Sequence, residues 1–392
     1  MIPRHLNQKL NELAGYYPVV ALTGPRQSGK TTLCRMAFPD KPYVSLENLD
    51  IREFAVNDPR GFLGTYADGA IFDEIQNAPD LFSYLQGDVD ERGEPGRFIL
   101  TGSQQFGLFQ AISQSLAGRC GILALLPPDL SELLAFPNTP DDLFTLMWQG
   151  SYPRIYDRGI PAHQWLADYV ATYIQRDVRQ VANVLDLQAF SGFLKLCAGR
   201  TAGEINLSSL GNDAGISHNT ARAWLSVLEA SYIIHRLPAW RANVRKQVIK
   251  APKLHFFDTG LVCYLLGIQT PDMLVLHPLR GAIFESWVVS EIYKKRSHHG
   301  LEPNMFHYRE TRGLEIDLVI KQGDDMDAVE IKSGATLTHA FFKNLTRFSE
   351  RFKDTQKTAP IRCHLVYGGD DSQRRSFAQA LSWRDTHRIR VR

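Results

Sequence analysis

Gly24-Pro25-Arg26-Gln27-Ser28-Gly29-Lys30-Thr31 decides how the amino-terminal part of this chain is read. The stretch fits GxxxxGK[ST], follows the apolar run Val19–Thr23 and opens a helical stretch, which is the context a phosphate-binding loop requires. Its backbone N–H groups cradle phosphates, and the helix N-terminus adds a favourable dipole. Lys30 is placed to reach the β- and γ-phosphates and Thr31 to ligate Mg²⁺, while Thr32 extends the binding set by one residue.

Outward from the loop, short apolar runs alternate with helical stretches. Val19–Thr23, Tyr43–Leu46, Ala70–Asp73, Phe98–Thr101 and Gly121–Leu126 read as strands of a parallel sheet with crossover helices, an α/β fold. The third run ends in Asp73-Glu74, at the sheet edge where ligands of such folds collect. Asp73 suits the Mg²⁺ shell and Glu74 the polarisation of an attacking water. The fourth run leads into Gly102-Ser103-Gln104, which makes Ser103 a sensor of the γ-phosphate. Arg119, in Ser115-Leu116-Ala117-Gly118-Arg119, is either a surface arginine or one that meets a γ-phosphate, in its own subunit or a neighbour's. Pro127-Pro128 and the Phe136–Asp142 segment end this region.

The phosphate loop, strand-Asp-Glu, strand-Thr-Gly-Ser and Leu-Ala-Gly-Arg, in this order, resemble the AAA+ ATPases, and specifically a large prokaryotic family of predicted ATPases. The resemblance extends to Tyr173-Ile174-Gln175-Arg176-Asp177-Val178, Gly215-Ile216-Ser217-His218-Asn219-Thr220, Phe257-Asp258-Thr259-Gly260-Leu261 and Val329-Glu330-Ile331-Lys332-Ser333-Gly334. It implies ATP as the nucleotide, and an ATPase domain followed by a helical segment, a winged-helix-like module and a C-terminal domain of unknown function. Mapped onto the chain, the divisions fall at residues 1–135, 136–200, 201–275 and 276–392. An arginine acting in trans would also require a homo-oligomer.

Within the third division, Leu207–Ala214, the turn at Gly215 and a helix over Asn219–Ala230 read as helix-turn-helix, with Ala221, Leu225 and Leu228 facing inward. Ser217, His218, Asn219 and Arg222 occupy the positions that meet a major groove. Ile233–Leu237 and Lys253–Phe257 read as wing strands. Between Ala230 and Phe257 lie Arg236, Arg241, Arg245, Lys246, Lys250 and Lys253 without one acid, a stretch suited to DNA phosphates or simply to solvent.

The last division carries a long amphipathic helix, Ala282–Arg296, and two strands, Leu314–Lys321 and Met326–Ser333. A hairpin loop over 322–325 pairs Lys321 with Met326 and sets Asp317 opposite Glu330, with Lys332 on the same face. Two carboxylates and a lysine so placed can hold Mg²⁺ or Mn²⁺ and a phosphodiester. The arrangement resembles the PD-(D/E)XK nucleases, which usually add an acid from a preceding helix. Glu285 fits, because Val288, Val289 and Ile292 put it on the apolar stripe; Glu291, near Lys294 and Lys295, reads as a solvated ion-pairing acid. A degenerate site held shut by Glu330 paired with Lys332 or Arg309 is the alternative.

Composition is neutral on partners: 44 basic residues against 42 acidic leave a formal charge of +2 over 392 residues, so any nucleic-acid signal is local. Five scattered cysteines without a CxxC pair argue against a disulfide framework or zinc site. No run of 18 apolar residues or signal-peptide core is present, and a cytoplasmic, membrane-free protein is expected. The residues thus point to an ATPase coupled to metal-dependent DNA processing. A nucleotide-controlled switch with an inactive C-terminal domain is the second reading, and a P-loop kinase a weaker third.

Overall fold

The computed structural model describes residues 2–103, 111–112, 114–174, 186–240, 251–311, 313–353 and 361–389. By internal contacts the chain divides into two compact units, one of residues 1–128, 230–232 and 297–300, the other of residues 129–229, 233–296 and 301–392.

In the first unit, α1 (Leu6–Ala14) precedes β1 (Val19–Thr23) and α2 (Lys30–Ala37), then β2 (Tyr43–Ser45), α3 (Leu49–Asn57), α4 (Pro59–Thr65), β3 (Ala70–Asp73), α5 (Leu81–Arg92), β4 (Phe98–Thr101) and β5 (Cys120–Ala124). The strands form one parallel sheet in the order β2-β3-β4-β1-β5. Both faces are covered, which is why the strands read as unbroken apolar runs. Val19 and Ala21 pack with Phe72, Phe98 and the helices α4 and α5, while Val20 and Leu22 pack with Leu6, Leu10, Leu33 and Cys34. β5 stops earlier than the expected Leu126. Leu125 still donates to the Thr23 carbonyl at 2.9 Å, but Pro127 and Pro128 carry no N–H to continue the ladder. The chain leaves β1 for the far edge strand β2 and returns through β3 and β4, so the carboxyl end of β1 lies at a switch point where a ligand crevice opens.

The second unit opens with α6 (Leu130–Leu133), α7 (Leu143–Gln149), α8 (Pro153–Asp157), α9 (Ala162–Tyr169) and α10 (Leu187–Ala198). Then come α11 (Leu207–Ala214) and α12 (His218–Ala230). Asn206 caps α11 by accepting from Ser209 N–H, Gly215 turns the chain at φ 68°, and Ser217 Oγ accepts from Thr220 N–H at 3.0 Å to start α12. Ala221, Leu225 and Leu228 are buried as expected. β6 (Ile234–Leu237) and β7 (Lys253–Phe256) pair antiparallel. Past the end of β6, Trp240 N–H donates to the His307 carbonyl at 2.7 Å, tying the hairpin to the larger sheet of this unit.

α13 (Thr259–Leu265), α14 (Pro271–Leu276) and the 19-residue α15 (Arg280–His298) lead into that sheet. It comprises β8 (Met305–Arg309), β9 (Glu315–Gln322), β10 (Asp325–Lys332), β11 (Arg362–Tyr367), β12 (Gln373–Arg374) and β13 (Ala378–Ser382), in the order β12-β13-β11-β10-β9-β8, with α16 (Lys343–Phe352) between β10 and β11. Leu345, Phe348 and Phe352 of α16 pack on Val319, Met326, Ala328 and Leu365. The β9–β10 hairpin pairs Lys321 with Met326 as the spacing predicts. Its ladder reaches one pair further, Gln322 with Asp325, so the connection is two residues long.

Candidate functional site

Gly24 leaves β1 at φ 138°, and a side chain there would meet the Leu125 carbonyl oxygen at 2.2 Å, so only glycine lets the loop pass this close to the next strand. Gly29, at φ 97°, closes the loop and starts α2. Arg26, Gln27 and Thr32 line the outside of this turn, partly or fully exposed, whereas Ser28 and Lys30 are buried. Ser28 Oγ is buried without a hydrogen-bond partner, an unmet polar atom in the loop that a phosphate oxygen would satisfy. Arg4 grips the loop from α1's side, donating to the carbonyls of Ser28 at 2.8 Å and Leu126 at 2.7 Å. Lys30 Nζ turns back on the carbonyls of Gly24 and Pro25, at 3.0 and 2.9 Å. Burial pulls its pKa down to about 8, with Glu74 and Asp73 only partly offsetting.

At the ends of β3 and β4 the acids meet hydroxyls. Asp73 accepts from Thr31 Oγ1 at 3.0 Å, Tyr43 Oη at 2.6 Å and Thr101 Oγ1. Glu74 follows in the left-handed region, φ 54°, a conformation costing a non-glycine residue about 1 kcal/mol. That turn brings its carboxylate back beside β4, where Ser103 Oγ donates at 3.1 Å and the Gln76 amide also bonds it. Lys30, Thr31, Asp73, Glu74 and Ser103 thus lie together at the carboxyl ends of the strands. Arg119 does not join them. Its carbonyl accepts from Val19 N–H, at the amino end of β1, so it lies at the opposite edge of the sheet from the loop, ion-paired with Asp90.

In the second unit β9, β10, α15 and β7 each bring charge to one place. Lys332 Nζ lies 2.8 Å from Glu330 Oε1 and 3.5 Å from Asp317 Oδ2, and Ile331 N–H donates to Asp317 Oδ2 at 2.8 Å. Asn344 of α16 donates to Glu330 Oε1 at 3.4 Å. Glu330 Oε2 is buried with no hydrogen-bond partner, an acceptor that a cation would satisfy. Glu285 arrives from α15. Its neighbour Ser286 bonds Thr201 Oγ1 at 2.7 Å and His255 Nδ1 at 3.0 Å, and Ser290, one turn on, donates to the Phe256 carbonyl at 2.6 Å, which holds the helix to β7.

Burial, reinforced by Asp317, pushes both Glu285 and Glu330 up to about 8. Lys332 is also raised, but for the opposite reason: burial opposes its charge, and Asp317 and Glu330 outweigh burial.

Three expectations are corrected here. Lys253 is not a phosphate-contacting wing lysine. It is 3% exposed, and its Nζ lies 2.8 Å from Glu285 Oε1, 2.9 Å from Glu315 Oε1 and 4.0 Å from Asp317 Oδ1. Glu291 is not solvated. It is buried, paired with Lys294, and accepts from Leu130 N–H at 2.5 Å, so the helix face that looked charged is turned inward. Arg309 does not reach Glu330; it bonds Glu204 at 3.0 Å and lies 3.7 Å from Glu315. Of the predicted DNA contacts, His218, Asn219 and Arg222 are exposed at the start of α12, and Arg236 is paired with Glu229. Arg241, Arg245, Lys246 and Lys250, like Gln175–Val178, lie outside the described residues.

Sequence reasoning missed Arg4, Tyr43, Lys253 and Glu315 as members of these sites. The one available signal was parity: Glu315 shares its β9 face with Asp317. Among the described residues no helix is long and apolar enough to cross a membrane.

Comparison with known proteins places an AAA domain over residues 16–134, and two domains of unknown function, DUF8612 over 140–272 and DUF4143 over 280–385. The amino-terminal region is therefore an AAA-type P-loop ATPase domain. Among solved structures, a Walker-type ATPase of Pyrococcus abyssi, paby2304, is similar at 15% identity and a TM-score of 0.42, covering 66% of this chain and 94% of that one. Two mycobacterial proteins, the uncharacterized proteins Rv2008c of Mycobacterium tuberculosis and Mb2031c of Mycobacterium bovis, are each 30% identical over 325 residues, 81% of this chain and 71% of theirs. At that identity and coverage the chain belongs to the same family of AAA-domain proteins as these two mycobacterial relatives.

Proposed function

We propose that this AAA-type ATPase couples ATP hydrolysis to metal-dependent processing of DNA by the carboxylate and lysine cluster on β9 and β10. The observation that carries the reading is the convergence of Asp317, Glu330 and Lys332 on one face, with Glu330 Oε2 left unmet.

In the ATPase domain, Lys30 exchanges the two loop carbonyls for the β- and γ-phosphates, and the buried Ser28 hydroxyl gains an acceptor. Thr31 and Asp73 are the residues to hold Mg²⁺, which supplies charge neutralisation between the phosphates. Glu74, oriented by Ser103 and Gln76, takes the proton of the attacking water. Arg119 acts in this scheme only from a neighbouring subunit of a homo-oligomer, since a strand's length separates it from its own loop.

In the second unit Asp317 and Glu330 are the residues to hold Mg²⁺ or Mn²⁺, which supplies Lewis-acid polarisation of a phosphodiester oxygen. Lys332, 35% exposed and kept charged by its two acids, donates to the phosphodiester or orients water; it is not a base. His218, Asn219 and Arg222 at the amino end of α12 are the groups offered to a DNA groove.

The second reading, a nucleotide-controlled switch that does not cut, is favoured by the same Lys332–Glu330 ion pair taken as a permanent closure. The experiment incubates supercoiled, linear and branched DNA with Mg²⁺ or Mn²⁺, with and without ATP, using wild type, Lys30→Ala and Glu330→Ala. Cleavage lost in Glu330→Ala and altered by ATP only when Lys30 is present supports the nuclease. Phosphate release without cleavage of any substrate establishes the switch.

A further inference from the structure

Lys253 lies in the cluster but belongs to none of the motifs that define it. It comes from β7, opposite Leu237 in the small hairpin, and its ammonium is buried against Glu285, Glu315 and, at 4.0 Å, Asp317. Asp317 is thereby shared, with Oδ1 toward Lys253 and Oδ2 toward Lys332. Four carboxylates, Glu285, Glu315, Asp317 and Glu330, face two ammonium groups, Lys253 and Lys332. With all groups ionised, and Arg309 beside Glu315 balanced by Glu204, the excess is two negative charges, the charge of one divalent ion. The unmet acceptor is on Glu330, at the end of the cluster away from Lys253's direct contacts.

We propose that Lys253 is a built-in cation filling the Glu285, Glu315 and Asp317 end of this cluster, so that the site takes one divalent ion, between Asp317 and Glu330. The inference rests on the metal-dependent reading of the site. Glu285 and Glu315 then serve as counter-ions that hold Lys253, and Lys253 is a positioning residue that keeps the Asp317 carboxylate turned between the two cation positions. A buried ammonium is worth its desolvation here because three acids around it would otherwise lie together without a counter-charge. It also prevents a second hard cation from entering, since both need the same carboxylate oxygens.

The test counts Mn²⁺ bound per chain by equilibrium dialysis with electron paramagnetic resonance of the free ion, on the full chain without nucleotide, in a Thr31→Ala background that weakens the P-loop site. Wild-type clusters should bind one Mn²⁺, Lys253→Gln two, Lys253→Arg one, Glu285→Gln one and Glu330→Gln none. Two ions in the wild type or in Lys253→Arg, one in Lys253→Gln with native near-ultraviolet dichroism, or none in Glu285→Gln overturns the assignment of Lys253. No ion in the wild type and Lys253→Gln alike overturns the metal reading beneath it. Because Lys253→Arg and Glu285→Gln keep most of the packing, the proposal stays open to refutation if Lys253→Gln does not fold.

Discussion

The two candidate sites treat lysine in opposite ways. Lys30 sits among neutral carbonyls, and burial lowers its pKa to about 8; Lys332 sits between Asp317 and Glu330, which raise its pKa. At the phosphate loop Asp73 and Glu74 only partly offset the burial of Lys30, and in the proposed function a phosphate completes the coordination of Lys30 and Ser28. The β9–β10 cluster has anions in excess, and burial, reinforced by Asp317, pushes the Glu285 and Glu330 carboxyls up to about 8. On the function proposed above, one region takes an anionic ligand and the other a cationic one. The lesson is that a lysine's role is read from its neighbours.

The sharpest way to break this comparison is to disable each site and ask whether the other notices. Asp317→Ala should reduce Mn²⁺-dependent DNA cleavage by about 10³-fold, the loss of several kcal/mol of Lewis-acid stabilisation. Its phosphate release should stay within about twofold, because no group of the nucleotide site is touched. Equal losses in both assays would mean the sites are one system. Next in size, Glu74→Gln should slow phosphate release by about 10²–10⁴-fold while leaving binding of a fluorescent ATP analogue intact, as expected for loss of a general base.

Opposite pH dependences sharpen the contrast. Phosphate prefers the protonated Lys30, so nucleotide affinity should fall by about tenfold per pH unit above pH 8. Mn²⁺ prefers ionised Glu330, so metal affinity should rise toward pH 8 and then level. Calorimetric titrations across that range check both slopes. Stability of the metal-free, nucleotide-free chain follows the same groups. Glu285 and Glu330 hold protons in the folded state that the unfolded chain releases above its ordinary value of 4.5, so they subtract stability as pH rises from 4.5 to about 8. Lys30's lowered pKa costs stability below about pH 8, a cost that fades as pH approaches 10.5. Thermal melts with and without Mn²⁺ should show the metal flattening the lower slope. A smaller effect is expected of Tyr43→Phe, which removes one of three hydroxyls from Asp73; stability should drop by about 1–2 kcal/mol in denaturant titration.

Much of both sites was legible because it is local. The phosphate loop is one contiguous stretch whose backbone supplies most of the contacts, and Asp73, Glu74 and Ser103 sit at the ends of strands that alternation and apolar runs already delimit. The Asp317, Glu330 and Lys332 convergence followed from a hairpin register, since a period of two residues and a short turn leave little freedom. Helix-turn-helix punctuation at Asn206, Gly215 and Ser217 was similarly readable.

What failed needed partners distant in the chain. Lys253 looked like one more base in an acid-free stretch, and Glu291 like a solvated acid, because helix and strand patterns describe a residue's own element and say nothing of what packs against it. For Arg119, left open between a surface arginine and one meeting a γ-phosphate in its own or a neighbouring subunit, the register beside Val19 puts it at the far end of the sheet from its own loop. Motif, strand and hairpin are set by near-neighbour sterics and periodicity, so the sequence alone determined the nucleotide loop and the two-carboxylate face. Only the tertiary structure decided which buried charges compensate one another, because Coulomb energies in a low-dielectric interior depend on distances that the folded chain alone defines.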